Sequence, residues 1–291
     1  MIYITRTKKY LWCILIILLS SCMVPVEGTD LIQAERADQL EGTDLIPADR
    51  AKQLREYGYS TDTPEQIIKA TKDKGYFVRH IALQLLVERT GEKAIPTLKE
   101  ALNDPEIEVR WRAAHWLRTL GDKSGIERMR QDFKELAPNN GAPIPLDPNI
   151  TDPNEIKKLE NKRNLRFYNA LTVAKVLAEL DDRQGYELAA RMAFEGSWRW
   201  QRYEAVYTLI EIAKTDQATL LAEGLDPVFV LSAVAESEKD EHVIYLLANQ
   251  VRKNLNKDIA IRILEVAKNS TNLSEKNRRI VQRYLDAVKA K

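Results

Sequence analysis

The chain has 291 residues, of which 44% are hydrophobic and 30% are charged, the composition of a folded protein long enough to bury a core. Its formal net charge is only +1, which disfavours a dominant role in nucleic-acid binding, because that role usually needs a strongly basic face. Both cysteines, Cys13 and Cys22, lie at the N-terminal end. The rest of the chain therefore has no disulfide and depends on packing for its stability.

The N-terminal segment has the pattern of an export signal. Basic residues precede the apolar run Leu11–Leu19, which as a helix would span about 14 Å, roughly half of a hydrocarbon core. The run predicts a signal peptide over residues 1–21 rather than a membrane-spanning helix. The sequence Leu19-Ser20-Ser21-Cys22 that follows resembles the lipobox of bacterial lipoproteins.

That resemblance implies that Cys22 is lipidated and holds the protein to a membrane through its lipid. It places the protein in the bacterial cell envelope, facing the periplasm. Met23 follows the cysteine, which by the same resemblance favours the inner leaflet of the outer membrane in a cell with two membranes. The alternatives are an uncleaved anchor and a plain signal peptide in which Cys22 is incidental.

A tandem duplication follows the signal. The 14-residue segment 27–40 (EGTDLIQAERADQL) is followed by a near copy at 41–54 (EGTDLIPADRAKQL). A unit this short cannot bury a core alone, and its glycines and proline interrupt a long helix. We expect a flexible, lipidated tether over residues 22–60, and a repeated docking peptide is the alternative.

Folded structure is expected to begin near Thr63 and to fill residues 61–291. Helix-capping patterns open three predicted helices, at Thr63-Pro64, Asp104-Pro105 and Asp226-Pro227. Helix ends are predicted at Gly91, at Gly121 and at the Asp181-Asp182 pair. Because no stretch alternates with a period of two, we predict no sheet.

One segment, Val109–Leu120, recurs along the chain. Its small and apolar residues have helical spacing, and related segments lie at 78–86, 173–180, 202–212 and 243–251. Second amphipathic segments, such as 94–102, lie between the copies. A period near 31 residues with two helices per period predicts an all-α fold, an α-solenoid of antiparallel helical hairpins.

The stretch Leu98–Asp122 resembles a HEAT repeat of the phycobilisome-lyase type, on the pattern L-x-x-A-L-N-D-P-x-x-x-V-R-x-x-A-A-x-x-L-x-x-L-G-D. The resemblance implies that the Val-Arg helix is the second of each pair and lines a concave face. It also implies that Arg79, Arg110 and Arg202 support the stacking of repeats by pairing with an inter-helix Asp. In the third copy Ala170 replaces this arginine.

A polar segment interrupts the repeats at residues 137–160. Its five prolines predict an insertion loop rather than a continuous helix. The oxygen-bearing side chains Asp147, Asp152 and Asn154 are ligand types for calcium, but their spacing does not match the EF-hand loop. We therefore predict no metal here.

The rest of the chain has little that suggests catalysis. His80, His115 and His242 lie on separate predicted helices, and no hydrolase, metalloprotease or nucleotide-binding motif is present. We therefore predict no enzyme, no catalytic residue, no metal and no cofactor. The resemblance leaves a lyase-like activity toward bilin chromophores as an alternative.

Rings recur on the second helices in positions that the repeat does not require. On a concave face these positions would bind a protein or peptide partner, because Tyr, Trp and Arg are frequent in interface hot spots. The alternatives are rings that fill gaps between helices, and a structural or assembly factor of the envelope with no discrete groove. The candidate binding residues are His80, Trp111, His115, Arg118, Tyr203, Tyr207 and Tyr245.

Overall fold

The computed structural model describes residues 47–138 and 150–290, and within them every regular element is a helix. The all-α prediction is therefore confirmed for the described residues. A short 3₁₀ turn, Gly91–Ala94, joins two of the helices. The α-helices are α1 Pro47–Glu56, α2 Pro64–Ala70, α3 Tyr76–Thr90, α4 Ile95–Ala101, α5 Ile107–Thr119, α6 Ile126–Leu136, α7 Pro153–Glu179, α8 Tyr186–Glu195, α9 Arg199–Ala213, α10 Gln217–Ala222, α11 Pro227–Ser237, α12 Glu241–Asn254, α13 Lys257–Asn269 and α14 Glu275–Lys289.

The five related segments of the sequence lie on α3, α5, α7, α9 and α12. These helices contact one another in chain order, and α14 continues the series by packing on α12. We call these six helices the helix row. Other helices pack beside the row, such as α4 on α5, α8 on α9 and α13 on α14. One main apolar core runs through these contacts.

Two hairpins of the row share the same turn. After α5, the amide of Asp122 donates to the carbonyl of Leu117, and after α7 the amide of Asp182 donates to the carbonyl of Leu177, both at 2.9 Å. Gly121 has a φ of 80° and Asp181, at the matching place, has a φ of 65°. The predicted helix ends at Gly121 and Asp181 are therefore confirmed, and the turn is the same although its residues differ.

Small residues hold these hairpins close together. A Cβ added to Gly125 would lie 2.8 Å from the Cβ of Ala114, and one added to Gly185 would lie 2.2 Å from the Cβ of Ala174. Both distances are shorter than any van der Waals contact between carbons. Glycine is therefore required where α6 and α8 begin, because each start touches the preceding helix of the row.

The helical structure begins earlier than the sequence indicates. Leu54 on α1 is fully buried, and α1 packs on α3. The second copy of the duplication thus enters the packed structure from Pro47 onward, ahead of the expected start at Thr63. The first copy, Cys13 and Cys22 lie outside the described residues. In the part of the chain that is described, no helix has both the length and the apolar character needed to cross a bilayer.

The predicted insertion needs a correction. Residues 153–160 are the first turns of α7, which runs unbroken to Glu179, and residues 139–149 lie outside the described part. Pro153 is compatible with the helix because the first helical position has no partner for its missing N–H. The Asp152 carboxylate caps this end, since it accepts a hydrogen bond from the Asn154 amide at 2.9 Å.

The capping predictions have mixed outcomes. The Gln66 side chain accepts from the Thr63 amide at 3.2 Å, and the Asp226 side chain accepts from the Phe229 amide at 2.9 Å, so these two helix starts are confirmed. Asp104 does not cap the helix that follows it, because α5 begins only at Ile107. Its carboxylate accepts from the amide of Glu106, the N-cap of α5, and from an arginine of the preceding repeat.

Candidate functional site

Three of the five repeat helices have an early arginine, and all three arginines pair with groups inside the chain. Arg79 donates from Nε and Nη2 to both carboxylate oxygens of Asp104, at 2.7 and 2.6 Å. This hydrogen bonding raises the pKa of Arg79. Arg110 donates in the same forked way to Asp132, at 2.9 and 3.0 Å. Each guanidinium also binds two carbonyls in the turn before its own helix.

Arg202 makes the corresponding contacts further along. Its Nε donates to Glu238 at 2.9 Å, its Nη1 donates to the carbonyl of Gly196 at 2.7 Å, and Asp240 lies 3.6 Å from its Nη2. All three arginines thus join a turn to a carboxylate of the next hairpin. Asp104 and Glu238 lie in turns between the two helices of a pair, whereas Asp132 lies on α6 itself. These guanidinium groups are poorly placed to bind a ligand.

His115 and Arg118 on α5 converge on one residue of α7. The His115 Nδ1 donates to the Glu179 carboxylate at 2.7 Å, and the Arg118 Nε donates to the Glu179 carbonyl at 3.0 Å. Burial raises the pKa of Glu179, but the hydrogen bond and charge of His115, with the charges of Lys175 and Arg118, outweigh burial and lower it. The carboxylate is therefore ionised at neutral pH and joins α5 to α7.

Lys175 and Tyr207 continue this polar contact toward the C-terminus. The Lys175 Nζ lies 3.4 Å from the Glu204 carboxylate and 5.2 Å from the centroid of the Tyr207 ring. Burial lowers the pKa of Lys175, but the carboxylates of Glu204 and Glu179 offset it, and the net effect is a raised pKa. The Tyr207 hydroxyl accepts from the Gln250 Nε2 at 3.1 Å. These contacts link α7, α9 and α12.

An aromatic pair lies at the far end of the row. The rings of Tyr245 on α12 and Tyr284 on α14 meet edge to face with centroids 5.8 Å apart, and Arg252 lies over the Tyr284 ring at 5.5 Å. Burial and the hydrogen bond with Tyr245 raise the pKa of Tyr284 to about 12. Tyr245 is 51% exposed, which makes it the most accessible ring among the candidates.

Two of the predicted binding rings are buried instead. His80 is 4% exposed and meets Phe77 edge to face at 6.5 Å, and Tyr203 is 8% exposed and meets Trp200 in the same way at 5.1 Å. These two rings fill space between helices, as the alternative interpretation states. The expected row of exposed rings is therefore interrupted on α3 and on α9.

A mixed set of charged, amide and aromatic side chains remains at least partly exposed along α5, α7, α9, α12 and α14. We call this set the strip. It includes five of the seven predicted candidates, among them Trp111, whose ring centroid lies 4.5 Å from the Arg112 guanidinium carbon. The strip consists of Trp111, Arg112, His115, Arg118, Lys175, Glu179, Glu204, Tyr207, Tyr245, Gln250, Arg252 and Tyr284.

Several residues of the strip are not among the predicted candidates. Lys175 could have been found from the sequence, because it occupies the same repeat position as His115. Tyr284 lies on α14, where Val281, Leu285 and Val288 have helical spacing and are buried, but this segment lacks the arginine and the paired alanines of the repeat. Glu179 and Glu204 lack any signal in the sequence, because their roles depend on which helices touch.

The described residues contain no group of three or more His, Cys, Asp or Glu side chains that could hold a metal ion. No protein-family model and no curated protein matches the chain. The function must therefore be inferred from the geometry and from the sequence patterns.

Proposed function

We propose that this chain is a lipid-anchored protein of the bacterial cell envelope that binds a protein or peptide through the strip of a HEAT-like α-solenoid. The observation that carries the proposal is the strip itself. Its charged and aromatic side chains lie on successive helices and keep part of their surface exposed, as with the half-exposed Tyr245 and the one-third exposed His115.

The solenoid is supported by the order of contacts. The helices that carry the repeats touch in sequence, and two successive hairpins have the same turn with the same close glycine–alanine approach. A stack in which each repeat contacts its neighbours produces this pattern and an extended binding surface. The arginine–carboxylate pairs between hairpins agree with the stacking role that the HEAT resemblance implies.

The chemistry of the strip suits a protein ligand. Tyr and Trp offer a large contact area at a low entropic cost, and Arg adds several hydrogen bonds, so these residue types dominate binding hot spots. The charge of Lys175 is paired with Glu204, and the charge of Glu179 is paired with His115. A surface whose polar groups are already ordered loses less entropy when a partner binds.

The proposed location in the cell envelope is supported by the sequence. The apolar run, the Leu19-Ser20-Ser21-Cys22 motif and the duplicated segment occur in the order of a signal, a lipidation site and a tether. The helical structure from Pro47 onward shortens the proposed tether to residues between Cys22 and α1. Such a tether would hold the helices near the membrane and leave the strip free to meet a partner.

A structural or assembly factor without a discrete groove is the second candidate. The observation that favours it is the mutual pairing within the strip, where Glu179 joins α5 to α7 and Tyr207 joins α9 to α12. If the strip served only to join helices, its exposed atoms would contribute nothing to partner binding.

Co-purification of the full, membrane-extracted chain separates the two candidates. The strip variant combines Trp111→Ala, Arg118→Ala and Tyr245→Ala, and the matched control combines Leu221→Ala, which is 50% exposed, with Arg279→Ala, which is 77% exposed. We expect the strip variant to lose its partners while its circular dichroism spectrum stays unchanged. Equal recovery of partners by the two variants would favour the structural role.

A further inference from the structure

Arg112 has none of the partners that its neighbour Arg110 has. Arg110 is held by Asp132 and by two backbone carbonyls. Within residues 47–138 and 150–290, no carboxylate or carbonyl accepts a hydrogen bond from Arg112. Its guanidinium carbon lies over the Trp111 ring, 4.5 Å from the centroid. The Arg112 side chain is half-buried, and its N–H donors have no acceptor among the described residues.

The unpaired cation is partly withdrawn from water. Burial lowers the pKa of Arg112 to about 10, although Tyr168, Glu108 and Glu204 favour its charge from beyond ion-pair distance. A desolvated cation without a counter-ion is unfavourable. Binding of an anion would remove this penalty by supplying the missing counter-ion. The guanidinium is already held in place by the indole ring, so it would lose little freedom when the anion binds.

The charge of Arg112 acts on the buried His80 of α3, and His80 connects it to two exposed rings. The Nε2 atom of His80 is buried without a hydrogen-bond partner. Burial, and then the charges of Arg112 and Arg50, lower the pKa of His80 well below its usual range. Next to His80, Phe77 is 39% exposed and meets Tyr57, which is 55% exposed, edge to face at 6.5 Å.

We propose that Arg112 and Trp111 form a carboxylate-binding site for a protein partner, with Phe77 and Tyr57 receiving an apolar side chain beside the carboxylate; this site rests on the proposed binding function. A guanidinium matches the planar carboxylate with two parallel hydrogen bonds. The site favours a singly charged carboxylate over a dianionic phosphate, because the negative charges of Glu108 and Glu204 act at the same guanidinium.

Binding of short peptides to the full chain in detergent tests the site. The probe is a library of random heptapeptides with free C-terminal carboxylates, from which bound sequences are selected and resynthesised. We expect the selected peptides to place an acidic residue or the C-terminus beside an apolar residue. Analogues with Asn, Gln or a C-terminal amide in place of the carboxylate should bind about tenfold to a hundredfold more weakly.

The variants Arg112→Gln and Arg112→Lys should weaken binding of the carboxylate peptides to the level of the amide analogues. Arg112→Gln should not lower the melting temperature, because it removes a desolvated cation that has no ion-pair or hydrogen-bond partner among the described residues. The control Arg279→Gln, on an exposed arginine paired with Glu275, should leave affinity unchanged.

Three results would contradict the proposed carboxylate site without contradicting peptide binding by the strip. These are equal affinity for carboxylate and amide peptides, unchanged affinity in Arg112→Gln, and stronger competition by inorganic phosphate than by acetate at the same concentration. A melting temperature lowered by several degrees in both Arg112 variants would show a structural role instead. Selection of no peptide at all would contradict the proposed function, and the carboxylate site with it.

Discussion

At the scale of single residues, the repeat arginines determine stability more than binding. Asp132 is fully buried and is held by Arg110, with Arg128 at 3.0 Å as a second partner. Replacing Arg110 with Met should lower the free energy of unfolding by about 3 kcal/mol, near the lower limit for a broken buried pair, because Arg128 still faces the carboxylate. Urea unfolding measures this loss.

The control for that substitution is Arg279→Met, whose ion pair with Glu275 is exposed on both sides. Exposed pairs contribute little to stability, so its unfolding midpoint should match that of the wild type. Equal midpoints for Arg110→Met and the wild type would contradict the stacking role of the repeat arginines.

A buried histidine should make stability depend on pH. Burial, Arg112 and Arg50 keep His80 neutral in the folded chain, while in the unfolded chain it gains a proton below its ordinary pKa of 6.5. The folded state should therefore lose stability as the pH falls below about 6.5, by up to about 1.4 kcal/mol per pH unit. The variant His80→Gln cannot take up this proton.

Unfolding free energies of wild type and His80→Gln, measured between neutral and mildly acidic pH, provide the comparison. As the pH decreases, the free energy of unfolding of the wild type should fall more than that of His80→Gln. Two parallel curves would show that His80 titrates alike in the folded and unfolded chain.

At the scale of elements, the tight hairpins depend on glycine. An alanine at position 185 would place its Cβ 2.2 Å from the Cβ of Ala174, so α8 would have to move away from α7. Overpacking of this kind costs about 1–3 kcal/mol. Gly185→Ala should therefore lower the melting temperature, as measured by differential scanning calorimetry.

Adding Ala174→Gly to Gly185→Ala removes the methyl group that clashes. The double variant should be more stable than the sum of the two single effects predicts, which is a favourable coupling. If the two effects simply add, the close approach of α7 and α8 does not exist in solution.

Elements defined by local patterns could be predicted, and those defined by tertiary contact could not. The starts at Thr63 and Asp226 and the end at Gly121 follow from capping and turn chemistry within a few residues. The start of α7 differs from the prediction because a proline in a polar segment predicts a break, whereas Pro153 opens the helix. Arg112 could not be recognised as unpaired, because pairing depends on the helices around it.

At the scale of the whole molecule, the proposed lipid determines where the helices act. Replacing Cys22 with Ser removes the thiol that would carry the lipid, without touching any described helix. The variant should lose incorporation of a radiolabelled fatty acid and move from the membrane fraction to the soluble fraction. Retention of label and of membrane association would contradict the lipoprotein proposal.

The central claim is that the strip is the surface on which a partner lies. Residues 245 and 221 offer a matched pair, because Tyr245 is 51% exposed on the strip and Leu221 is 50% exposed on α10, outside it. A photoreactive phenylalanine analogue placed at either position in the full chain, and irradiated in intact cells, reports which surface touches another protein. We predict a discrete crosslinked product from position 245 and none from position 221. Equal crosslinking at both positions, or crosslinking from position 221 alone, would contradict the claim.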